Sequence, residues 1–83
     1  MRGIKVDKVE KTRAYKACVE EAERIADEMV GNFYAERYGE EHRNNRGLGT
    51  CHLFWGFKKQ VLKEKFNIDW KTPSEINPHI KFD

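Results

Sequence analysis

Between Thr12 and Tyr38 the apolar positions recur at intervals of three and four. With residues placed 100° apart, Ala14, Tyr15, Cys18, Val19, Ala22, Ile25, Ala26, Met29, Val30 and Phe33 share one broad arc. Lys16, Glu20, Glu21, Glu23, Arg24, Asp27 and Glu28 lie opposite. This is the pattern of a long helix with one buried face. Thr12 is its expected N-cap and Gly39 its expected C-cap. Tyr34 and Tyr38 fall on the polar side, which predicts a kink or a restart at Gly31-Asn32.

Residues 39–49 read GEEHRNNRGLG, a polar, turn-rich stretch and the only candidate linker. Thr50 is the expected N-cap of a second helix over about residues 51–66. Leu53, Phe54, Trp55, Phe57, Val61, Leu62 and Phe66 cover a wider arc than in the first helix, with Lys58 and Lys65 inside it. A wide arc predicts contact on two sides, with lysine stems on apolar surface and ammonium groups in water. His52, Gly56, Lys59 and Lys63 align on the remaining stripe, expected to face outward.

The tail, NIDWKTPSEINPHIKFD, carries one strong local signal. Thr72-Pro73-Ser74-Glu75 is a capping box with proline at the first helical position. Pro78 limits that helix to about one turn. Ile68, Trp70, Ile76, Ile80 and Phe82 are then expected to anchor a tail wrapped over the helices. At the start, Ile4 and Val6 alternate with Lys5 and Asp7, as in a short strand or an extended arm. The expectation is one all-α domain over residues 1–83. Two antiparallel helices, at about 12–38 and 51–66, carry an N-terminal extended arm and a wrapping tail with one helical turn.

Composition narrows the class. At 83 residues the chain has a marginal core, which a partner or self-association would relieve. Charged residues are 36% of the chain and mean hydropathy is −0.88, with no apolar run near the ~18 residues of a membrane span. No secretory h-region opens the sequence, and two cysteines make no disulfide scaffold, so a cytoplasmic location without membrane contact is expected. The net charge of +2 is unevenly spread. Residues 1–13 carry five basic and two acidic groups, residues 14–41 three and eight, and residues 42–66 six and one. An acidic helix beside a basic one would account for this; so would a basic surface for an anionic partner.

The densest chemistry lies in RNNRGLGTCHLFWGFKK, residues 43–59. Arg43 and Arg46, the glycines Gly47 and Gly49, and a helix start at Thr50 suggest an anion site. The spacing matches neither a Walker loop nor a dinucleotide fingerprint. The bland alternative has both glycines serving the turn and both arginines pairing with Glu40, Glu41 or the acidic helix. Cys51 at the helix start favours thiolate, but His52 points about 100° away and is a poor base for it. Cys18, Cys51, His42, His52 and His79 lack the paired spacings of a zinc site. No metal, cofactor or catalytic set is expected.

Two binding readings remain, with a thiol enzyme using Cys51 a distant third. In the first, the protein is a small interaction or regulatory module. It binds another protein, or itself, through the second helix and the basic loop before it, with Trp55 as an anchor. In the second, Arg43, Arg46, His52, Lys59 and Lys63 form a strip for a nucleic-acid backbone.

Overall fold

A computed structural model of the chain describes residues 5–47 and 50–81. Helix α1 spans Arg13–Tyr38, α2 spans Thr50–Phe66 and the single turn α3 spans Pro73–Ile76; short 3-10 turns occupy Lys8–Lys11 and Glu40–His42. No strand occurs among the described residues. The two long helices pack against each other as an antiparallel hairpin. Tyr34 meets Thr50 near the loop, while Glu23 meets Lys58 and Glu21 meets Lys65 further along.

Local chemistry sets the ends. The Thr12 hydroxyl accepts from Tyr15 N–H (3.2 Å) and donates to the Val9 carbonyl (2.6 Å), joining the first 3-10 turn to α1. Gly39 closes α1 at φ 114°, a value that disfavours any side chain. Contrary to expectation, α1 runs unbroken through Gly31 and Asn32. Helix α2 begins one residue early, with Thr50 inside it and its hydroxyl donating back to the Gly47 carbonyl. The Thr72–Glu75 capping box forms as expected, with Pro73 in the first turn. Residues 5–7 carry no regular element, Asp7 being extended at φ −63° and ψ 139°, and residues 8–11 then coil into the 3-10 turn. Ile4 and Phe82, named above as a strand residue and an anchor, lie outside the described residues.

The core is built where the tail returns. Asn67 adopts φ 58°, a conformation asparagine tolerates better than most residues, and Ile68 N–H reaches back to the Leu62 carbonyl (2.9 Å). Ile68 and Trp70 then close over Tyr15, Cys18, Ala22, Val61 and Leu62. Ala22 and Ala26 have no exposed surface, and their small size lets α2 approach closely. Polar contacts tie the arm beneath the tail. Trp70 donates its indole N–H to Glu10 (2.8 Å), and Lys71 N–H donates to Asp7 (2.8 Å). The buried Asn77 side chain exchanges two hydrogen bonds with the Lys5 backbone.

Candidate functional site

The loop after α1 is clamped rather than open. Arg43 donates to the Glu40 carboxylate and to the Asn32 side chain. Arg46 donates to the Asp27 carboxylate (2.7 Å), to the Asp27 carbonyl (3.3 Å) and to the Arg43 carbonyl (2.9 Å). Both arginines lie on Gly31, where an added Cβ would sit 3.1 Å from Arg43 Cγ and 3.1 Å from Arg46 Nη2. Gly31 therefore makes room for the loop and does not mark a helix break. The hydrogen bond from Arg43 holds the Glu40 carboxyl below the usual range and raises the guanidinium in turn. Such pairings reduce the field these cations offer to an outside anion.

The stripe on α2 is likewise matched to carboxylates. Lys59 Nζ lies 2.8 Å from each Glu75 oxygen, and Lys63 Nζ lies 3.0 Å from Asp69. The Lys59 contact, then the Thr72 N–H, lowers the Glu75 pKa. His52 is exposed and meets the half-buried Trp55 edge-on, with ring centroids 5.5 Å apart. Gly56, one turn from His52, has nothing within 4 Å of where a Cβ would stand. Gly47 is similarly open, and Gly49 lies outside the described residues. Cys51 is a half-buried free thiol. Among the described residues no group of three or more His, Cys, Asp or Glu gathers as a metal site.

Lys58 departs most from its sequence reading. Its ammonium does not reach water: the side chain is 7% exposed, and Nζ sits 2.7 Å from Glu23 and 4.4 Å from the centre of the Trp70 ring. The centre of the Tyr15 ring is 5.3 Å away. Burial by itself pulls the Lys58 pKa down, but contacts with Glu23 and Tyr15 outweigh it and the pKa lies above the ordinary lysine value. Burial raises the Tyr15 pKa, with Lys58 only partly opposing it. The charge thus acts as a tail anchor, held by two rings and one carboxylate.

A second feature lies mostly off the apolar arc, which contributes only Phe33 to it. Phe33, Tyr34, Tyr38 and His42 form a continuous row, with successive ring centroids 5.6, 5.7 and 5.9 Å apart. The Tyr34 hydroxyl is hydrogen-bonded to Thr50 (3.2 Å), and Tyr38 is 55% exposed. Tyr34, Tyr38, His42 and Gly47 line a depression of about 320 Å³. Its sequence signal was two tyrosines and a histidine at intervals of four, off the apolar face. No protein-family model, curated protein or solved structure matches the chain. No helix among the described residues is long and apolar enough to cross a membrane.

Proposed function

We propose that the protein is a small helical interaction module that binds another protein through its loop end and the adjoining face of α2. The observation that carries this reading is the aromatic row that includes the exposed Tyr38. Tyrosines are frequent interface anchors, and rings already held in place lose little freedom on binding. The depression between Tyr34, Tyr38 and His42 accommodates one apolar side chain of a partner. Gly56 supports the involvement of α2. A glycine inside a helix costs about 1 kcal/mol relative to alanine. Among the described residues no internal contact offsets that cost, whereas a partner packed closely against α2 would use the missing Cβ. The molecule is also thin, 17 Å in its shortest direction, so the hairpin is a single helical layer.

Affinity capture with the full chain as bait, followed by direct titration of each recovered protein, tests the reading. Tyr38→Ala and Gly56→Ala should each weaken a genuine partner at least tenfold, while Gly56→Ala makes the free protein more stable. Partners whose affinity neither substitution changes would overturn the proposed surface. Sedimentation over a concentration series identifies the alternative in which the partner is a second copy.

A further inference from the structure

A group of lysines without carboxylate partners among the described residues lies at the opposite end from the loop. Lys5, Lys8, Lys11 and Lys71 line one cleft of about 500 Å³, together with Val6, Asp7 and Ile76. All four lysines are exposed, and among the described residues their side chains form no ion pair or hydrogen bond. In contrast, Arg43, Arg46, Lys58, Lys59, Lys63 and Lys65 each meet a carboxylate. The two acids of the arm are turned to structural use. Asp7 accepts from Val9 N–H (3.1 Å) and Lys71 N–H (2.8 Å), and Glu10 accepts from the Trp70 indole (2.8 Å). Folding the tail onto the arm therefore engages the acids and leaves the cations facing out.

We infer that this cleft binds the phosphate backbone of a single nucleic-acid strand. Lys8 and Lys11 are three residues apart on a 3-10 turn, so they stand on one side about 6 Å apart along its axis. That spacing is close to the separation of neighbouring phosphates on a strand. Lys5 and Lys71 line the same cleft. Each lysine meets phosphate as a point charge. Val6 and Ile76 offer apolar wall to the sugars. Among the described residues no aromatic ring lines the cleft to stack a base or to anchor in a lipid interface, and the contact these lysines offer is electrostatic and indifferent to sequence.

The test is fluorescence anisotropy of the full chain with a labelled 20-nucleotide oligo-dT over a salt series. Four phosphate contacts predict a slope of log K against log salt of about −3. Lys8→Gln with Lys11→Gln should roughly halve that slope and weaken binding at least tenfold at low salt. Lys59→Gln with Lys63→Gln, and Tyr38→Ala, should leave both unchanged, which keeps this site separate from the protein-binding surface. Circular dichroism confirms that each variant is folded. Absence of binding at low salt would overturn the inference. So would equal loss in the Lys59/Lys63 variant, equal competition by poly-glutamate, or binding to phosphatidylserine vesicles without binding to oligo-dT.

Discussion

The two ends of the hairpin use the same kinds of residue in opposite ways. At the tail end, Tyr15, Trp70 and Lys58 are buried together, and Glu10, Asp7 and Asn77 fasten the arm beneath them. At the loop end, Phe33, Tyr34 and Tyr38 meet edge-on or tilted in a row that leaves Tyr38 exposed, and the arginines hold a loop instead of a core. The tail is what separates the two. It covers the start of α1 and the end of α2 and leaves the other turns uncovered. Trp70 and Tyr15, under it, are buried, whereas Tyr38, beyond it, is exposed.

Deleting one aromatic from each end is the most direct way to break this comparison. Trp70→Ala should cost about 3–5 kcal/mol, a large share of the stability of so small a domain. Tyr38→Ala should change stability by no more than about 0.5 kcal/mol. Equal losses in urea melts would show that the loop end is also core.

The Lys58–Glu23 contact offers a finer test. Glu23→Gln leaves a buried ammonium without its counter-charge and should cost about 2 kcal/mol, below the usual range because Glu23 is itself half exposed. Lys58→Met instead leaves a carboxylate able to hydrate, and should cost less than about 1 kcal/mol. The reverse order would mean that the ring contacts outweigh the ion pair. The same cluster fixes an alkaline limit. The Lys58 pKa is raised above 10.5 and that of Tyr15 above 10.0, so their contribution is complete below those values. It is lost as pH climbs through the higher folded-state values. Trp70 fluorescence, read in a Trp55→Phe background, should report the tail lifting at alkaline pH, and Lys58→Met should blunt that transition. Glu75 acts with the opposite sign: its lowered pKa gives a contribution present above 4.5 and lost on acidification.

Smaller effects sharpen the division. Thr72→Ala removes the cap of α3 and should cost about 1 kcal/mol, confined to the tail and visible as faster amide exchange there. Gly31→Ala should fall near zero. The gain in helix propensity, about 1 kcal/mol, is offset by displacing Arg43 and Arg46, each 3.1 Å from the new methyl. Gly31→Leu, which no side-chain adjustment accommodates, should release the loop.

Much of the hairpin is readable locally. The arc through Ala22, Ala26 and Val30, the Thr12 and Gly39 caps and the Thr72–Glu75 box each depend on residues within a few positions of one another. Gly31 misled, because its reason for being glycine lies twelve and fifteen residues away in Arg43 and Arg46. Lys58 misled likewise. Its place in the apolar arc was visible, but Glu23 and Trp70 become its neighbours only once the helices and tail are assembled. The charge clusters were counted correctly, but counting cannot distinguish a neutralised lysine from an unpaired one.

The sequence alone determined the helices, their ends and the amphipathic faces that join them, because helical period and capping are short-range properties of the chain. Only the tertiary structure decided which charges remain available and which aromatics stay outside. Those outcomes depend on contacts between residues up to 72 positions apart, as between Lys5 and Asn77. Coulombic attraction and burial act through space, and no local pattern records who the neighbours will be.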